Sequence, residues 1–160
     1  YQVCLFGEDR AKNRAAMITV ALNEHVTLDD WIDSEAASET DLRTEVITTV
    51  ATTVSQLHNA GHQHGCLYGK HILISTKTKD VDVRLLDLEK IRSSFLRLTA
   101  PLQDLDQFFR HSAAGWTASD SLLFLRTYCG ESRLRRFTEK LRRRVQQKDP
   151  DTCRLLDFNV

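Results

Sequence analysis

Apolar residues recur at steps of three and four through Leu42, Val46, Val50, Val54 and Leu57, and this spacing predicts the longest helix of the chain, ending near Gly61. Ser38-Glu-Thr-Asp41 just before it has the form of a capping box, in which a hydroxyl and a carboxylate three residues apart satisfy orphan helix donors. The same form at Thr27-Leu-Asp-Asp30 opens a short helix carrying Leu28, Trp31 and Ile32. At Thr117-Ala-Ser-Asp120 it opens a helix through Leu122 to Tyr128, with Gly130 as a left-handed C-cap. Leu102 to Phe109 carries a further apolar stripe. Leu134, Phe137, Leu141 and Val145 mark a last long helix whose other faces are dense with arginine. Two stretches have a strand pattern instead. Tyr1 to Phe6, bounded by Gly7-Glu8-Asp9, and Ala15 to Leu22 predict one hairpin. Ile72-Leu73-Ile74 and Val81 to Leu86, around the polar turn Thr76 to Asp80, predict another. The apolar pair Leu155-Leu156 near the end is placed to dock.

The order is therefore hairpin, connector, short helix, long helix, polar loop, hairpin and helices, an α+β arrangement in a chain of 160 residues, long enough to bury one core. No apolar run approaches a membrane span, and no leader pattern precedes the first strand. The opening on Tyr1 rather than Met leads us to expect a piece of a longer protein. Cys4, Cys66, Cys129 and Cys153 are scattered without a CxxC pair, which fits reduced thiols and a cytoplasmic location. The formal net charge of zero conceals a polarity. Glu24, Asp29, Asp30, Asp33, Glu35, Glu39, Asp41 and Glu45 cluster early, whereas Arg133, Arg135, Arg136, Lys140, Arg142, Arg143 and Arg144 cluster late.

The chemistry concentrates between His58 and Leu88. Leu57-His58 and Gly61 are followed by His64, Tyr68 and His71-Ile72-Leu73-Ile74, and then by Leu86-Asp87-Leu88-Glu89-Lys90. This pattern resembles the catalytic and metal-binding loops of the protein-kinase-like fold, in the variant of the lipopolysaccharide kinases that phosphorylate Kdo or heptose sugars and of the InaA-like proteins close to them. Met17-Ile18-Thr19 with Leu22 and the helix at Thr27 to Trp31 resemble the family's last small-lobe strand, hinge and first large-lobe helix. Leu102 to Leu105 and Ser119 to Gly130 resemble its later helices. The resemblance implies a small-lobe remnant over residues 1–22 and a helical large lobe over 23–160.

It further implies a phosphotransferase using ATP and Mg²⁺ on a lipopolysaccharide core precursor or another anionic glycolipid, with the inner-membrane surface as a possible neighbour. Residue by residue, it implies Cys66 at the position of the catalytic base with His64 beside it, and His71 and Asp87 as metal ligands. It implies Val20, Leu22 and Leu73 as nucleotide contacts, and Asp104 and Tyr68 bracing the loop, Asp104 through backbone N–H groups. The family has Asp where this chain has Cys66. A free thiol is mostly protonated at neutral pH and offers one polarisable atom instead of two hard oxygens. Because a positioned base is worth about 10²- to 10⁴-fold, weak or lapsed catalysis is expected. A glycine-rich phosphate loop and a strand lysine are also not found in the sequence, so poor ATP binding by this chain alone is expected. Pairing of two copies through the first hairpin is a further expectation.

Three functions stay open on the residues: an atypical kinase, a kinase-like binding or scaffold protein in which Cys66 is inert core, and a metal-binding domain built from His58, His62, His64 and Cys66. The arginine-rich helix reads as a solvated face or as a cationic surface for anionic lipid. Nucleic acid is not expected, since no aromatic residues interleave with those cations.

Overall fold

The computed structural model describes residues 5–9, 14–18, 21–93 and 99–158. The first hairpin is present, with β1 (Leu5–Asp9) antiparallel to β2 (Arg14–Ile18) and Leu5 opposite Ile18. Its boundaries differ from the pattern-based ones. Gly7, Glu8 and Asp9 lie within β1, because ladder hydrogen bonds come from the backbone and continue through polar residues. Residues 1–4 and Val20 fall outside the described residues.

A two-residue strand, β3 (Val26–Thr27), runs directly into α1 (Leu28–Ile32). The Thr27 hydroxyl caps that helix by accepting the Asp30 N–H at 3.1 Å. The Ser38 capping box does not form. Ser38 closes a 3₁₀ turn over Glu35–Ser38, and α2 (Thr40–Asn59) begins from Glu39 without a side-chain cap. Its first turn is fixed from outside, since the Arg43 guanidinium grips Asp120 at 2.7 and 3.0 Å and donates to the carbonyls of Ala37 and Gly115. The buried face of α2 is Val46, Ile47, Val50, Ala51 and Val54.

Downstream lie β4 (His62–Gln63), β5 (Ile72–Ser75), β6 (Asp82–Leu85) and β7 (Arg92–Ser93), then α3 (Thr99–Arg110), α4 (Ala118–Cys129) and α5 (Glu131–Gln146). β5 is the centre of a three-stranded antiparallel sheet, with β3 on one side and β6 on the other. Alternation along β5 sends Ile72 and Ile74, both fully buried, into the helical core and leaves Leu73 half-buried on the other face. β4 pairs separately with β7.

The helices layer with α2 against α4, and α5 against both α4 and α3. Phe108, Phe109, Trp116 and Phe124 fill the space between α3 and α4, with ring centroids 5.2 to 6.5 Å apart. Such pairs add roughly 0.5–1.5 kcal/mol each beyond their area burial. The Thr117 capping box of α4 is complete. Gly130, expected as a left-handed cap, has φ 74° with ψ 158°, so the chain leaves α4 extended and turns directly into α5. The fully buried Asp106 carboxylate ties α3 to the end of α5, accepting from Arg110 at 3.1 Å, Arg144 at 3.3 Å and Lys148. Leu156 docks in the core from a final 3₁₀ turn at Asp151–Leu156.

Candidate functional site

The loop from His64 to Lys70 is held at its start by one carboxylate. Asp104 of α3 is fully buried; its Oδ2 accepts the His64 N–H at 2.7 Å and its Oδ1 accepts the Gly65 N–H at 2.9 Å. The same Oδ2 lies 3.0 Å from Nε2 of His58, whose Nδ1 meets the Tyr128 hydroxyl at 2.7 Å. Since a carboxylate only accepts, His58 Nε2–H donates to Asp104 and Tyr128 O–H donates to His58. Burial raises the Tyr128 phenol well above its ordinary value, consistent with a hydroxyl kept as a donor. Three helices thus converge on two backbone N–H groups.

The His64 side chain is a neutral brace. Its Nδ1 accepts the Cys66 N–H at 3.3 Å, which leaves Nε2–H to donate to the Leu86 carbonyl at 2.9 Å. Burial pushes its imidazole below the ordinary histidine value, against the opposing pull of Asp104. His64 therefore links the loop to the end of β6 instead of standing free to move a proton. Gly65, at φ +81°, passes so close to the chain around Lys90 that an added Cβ would sit 2.9 Å from the Lys90 carbonyl oxygen. Only glycine permits both that backbone angle and that approach.

Cys66 is buried, and its sulfur lies 3.2 Å from the Lys90 ammonium, which the neighbouring sulfur holds above the usual lysine range. Its carbonyl accepts from His71 Nδ1 at 2.8 Å. Tyr68 packs its ring edge-on against His71 and His111, at 5.4 and 5.1 Å between centroids. The following turn, Gly69–His71, sits against α1, where a Cβ on Gly69 would collide with the Asp29 carboxylate. That carboxylate accepts from the backbone of Lys70 and Ala113, and burial raises its pKa above the ordinary value.

His71 and Asp87 flank the β5–β6 hairpin and meet at its open end, with Nδ1 and Oδ2 3.7 Å apart. The Leu86 N–H bond to the His71 carbonyl, 2.8 Å, fixes that juncture. Asp87 has φ 57° and ψ 46°, the one non-glycine residue with positive φ among the described residues. Most L-residues pay roughly 1–2 kcal/mol for this conformation; Asp and Asn adopt it more readily than other non-glycine residues, and single residues held there collect at functional sites. Among the described residues the Asp87 carboxylate has no hydrogen-bond partner, and it is about one-third exposed. With Nδ1–H committed to Cys66, neutral His71 keeps its Nε2 lone pair. The Asp87 carboxylate suits a hard divalent ion that takes its other ligands from water and phosphate, while the imidazole nitrogen that approaches it is Nδ1, so His71 would contribute through Nε2 on the other side of the ring.

Leu22 and Leu73 are both half-buried, and Val20 lies outside the described residues. The His/Cys metal cluster is not assembled. His58 and His64 spend both ring nitrogens on protein partners, and no group of three or more His, Cys, Asp or Glu side chains is arranged for a metal among the described residues. Lys90 and Asp29 belong to the site without an assigned role from the sequence, and His58, which the sequence offers as part of the loop motif and as a metal-ligand candidate, instead joins Asp104 to Tyr128. Each reaches it across a turn or from another helix, and for Lys90 the only sequence signal was its place in the strand-end motif.

The model of the lipopolysaccharide kinase (Kdo/WaaP) family matches residues 3–128, more than half of the chain and including Cys66, His71, Asp87 and Asp104. The chain belongs to the lipopolysaccharide kinase (Kdo/WaaP) family. It is 29% identical over 100 residues to Protein InaA of Escherichia coli (strain K12), a match covering 61% of this chain and 46% of InaA, so the matched region spans less than half of that relative. Among solved structures it resembles WaaP in complex with acyl carrier protein, at a TM-score of 0.72 and 23% identity, over 96% of this chain and 68% of that one. This likeness establishes the fold, the α+β protein-kinase-like architecture with helices predominating. Among the described residues no helix is long and apolar enough to cross a membrane.

Proposed function

We propose that this family member is a slow phosphotransferase, moving the terminal phosphoryl group of ATP to a sugar hydroxyl of a lipopolysaccharide core precursor or related anionic glycolipid at the cytoplasmic face of the inner membrane. The observation that carries this reading is the convergence of His71 and Asp87 at 3.7 Å, beside a loop whose base position is Cys66. On this reading residues 1–22 close the small lobe and 23–160 form the large one, with Val20, Leu22 and Leu73 against the nucleotide base. A bound Mg²⁺ would supply charge neutralisation at the phosphates, and His71 Nε2 with the Asp87 carboxylate are the groups that would hold it.

The remaining work falls to side chains of this chain. Asp104 and His64 fix the loop so that position 66 keeps its place relative to the hairpin end. The Cys66 sulfur orients the acceptor hydroxyl where the family has a carboxylate, and the lost base lowers the rate by about 10²- to 10⁴-fold. Lys90 brings an ammonium to the same spot, suited to the oxygens of the group in transit.

One observation favours a binding or scaffold role instead: the Cys66 sulfur is buried and already in contact with Lys90. Transfer of labelled phosphate from ATP to a sugar-lipid acceptor separates the two. The enzyme reading expects slow transfer by the wild type and none by Asp87→Ala. Nucleotide binding without any transfer would leave the scaffold reading.

A further inference from the structure

The last helix carries a row of cations that the site does not use and that lies beyond the residues matched by the family model. At about 100° per residue, Arg133, Arg136, Lys140 and Arg143 fall within an arc of roughly 80° and span about 15 Å along the axis. All four are exposed. The buried residues of α5, Leu134, Thr138, Leu141 and Val145, lie on the opposite side, against α3 and α4. The other cations of this region have carboxylate partners: Arg135 with Glu139, Arg142 with Asp157, and Arg144 and Lys148 with Asp106. Among the described residues none of the four in the row has one.

We infer that this row is a docking surface for an anionic lipid bilayer. Its chemistry fits a membrane better than a protein partner, because the row holds no aromatic or aliphatic anchor, whereas protein interfaces centre their affinity on buried anchors of that kind. A planar array of lipid phosphates needs only charge, and each surface cation strengthens adsorption about fivefold at moderate salt. The charge distribution also gives an orientation. Net charge is zero, and the acidic residues concentrate on α1, the 35–38 turn and the start of α2, with α4 packed between α2 and α5. An anionic surface therefore attracts α5 and repels the acidic end. The inference deepens the glycolipid reading, since it would hold the enzyme where such acceptors are embedded. Vesicle binding is measured without nucleotide or turnover, so either can fail alone.

The test is co-sedimentation of the full chain with phosphatidylcholine vesicles containing about one-third phosphatidylglycerol, against pure phosphatidylcholine, at low and high salt. Wild type should bind the anionic vesicles alone and release as salt rises. Arg133→Ala, Arg136→Ala, Lys140→Ala and Arg143→Ala together should weaken binding by roughly a hundredfold or more. The double variant Arg136→Ala/Lys140→Ala should give an intermediate loss. Removing three exposed cations elsewhere, Lys77→Ala, Lys79→Ala and Arg84→Ala, should change little. The inference is overturned if wild type ignores anionic vesicles, if the four-site variant binds as well, or if the control variant loses as much. Tighter binding to duplex DNA at the same salt would also overturn it, in favour of nucleic acid.

Discussion

The Asp104 carboxylate accepts the backbone N–H of His64 at 2.7 Å, forty residues upstream of it, and no solvent reaches either side chain. Charged hydrogen bonds of this kind are worth roughly 1.5–3 kcal/mol each, and Asp104 makes three, to His64, Gly65 and His58. Asp104→Ala should therefore lower stability by about 5 kcal/mol, near the low end of their sum, measured by denaturant unfolding. A loss below about 1 kcal/mol would mean that the loop does not depend on this carboxylate.

Gly65→Ala should cost about 2 kcal/mol or more, because the new Cβ meets the Lys90 carbonyl at 2.9 Å while φ stays at +81°. Gly61→Ala provides the comparison. It shares φ +81° but has no atom within 4 Å of an added Cβ, so it carries the conformational cost alone. Equal losses in the two variants would show that the approach to Lys90 is not tight.

Asp87 combines a left-handed backbone with a solvent-accessible carboxylate that no protein donor engages among the described residues, so stability and function should separate there. Asn tolerates the left-handed conformation. Asp87→Asn is expected to leave the thermal midpoint unchanged or raise it slightly, while Mn²⁺ binding in the presence of ATP, followed by paramagnetic broadening, is lost with the anionic ligand. A clear fall in the midpoint would identify Asp87 as a structural cap.

Burial pushes the Asp120 carboxyl up, but the Arg43 guanidinium and the Thr117 donors outweigh it and hold the pKa below the ordinary 3.8. The unfolded chain thus takes up this proton first as pH falls. The pair's contribution is fully present above about pH 4 and is lost as pH falls from there through the folded value. Arg43→Ala leaves Asp120 buried without its cation and should cost about 3 kcal/mol at neutral pH, with a smaller difference from wild type in acid. A difference that does not shrink in acid would show that ionised Asp120 is not what Arg43 stabilises.

Periodicity placed α2, α4, α5 and the β5–β6 hairpin, because each buries one face and its apolar spacing records that face. It did not place β3, whose two residues are a strand only by virtue of their partners Leu73 and Ile74. The Ser38 box failed since its motif is local, whereas the start of α2 is set by Arg43 reaching 77 residues along the chain to Asp120. At the site, the resemblance of the loop and strand-end motifs to the family pattern pointed to Cys66, His71 and Asp87, but a motif lists residues along one segment. His58 and Lys90 stand in those motifs too, but the contact of His58 with Asp104 spans 46 residues and that of Lys90 with Cys66 spans 24, so their partners became visible only through packing.

Phosphoryl transfer by Cys66→Asp tests the central claim most directly, because it restores the family's carboxylate in a loop whose braces are all in place. Measured with labelled ATP and a sugar-lipid acceptor in a version that includes the amino-terminal lobe, the rate should rise about tenfold or more over wild type, and Asp87→Ala in the same background should remove it. Transfer that stays undetectable in Cys66→Asp while nucleotide still binds would contradict the phosphotransferase reading. Brisk wild-type turnover abolished by Cys66→Ser would instead contradict the assignment of Cys66 as a weakened base and show that the thiol itself takes part in the chemistry.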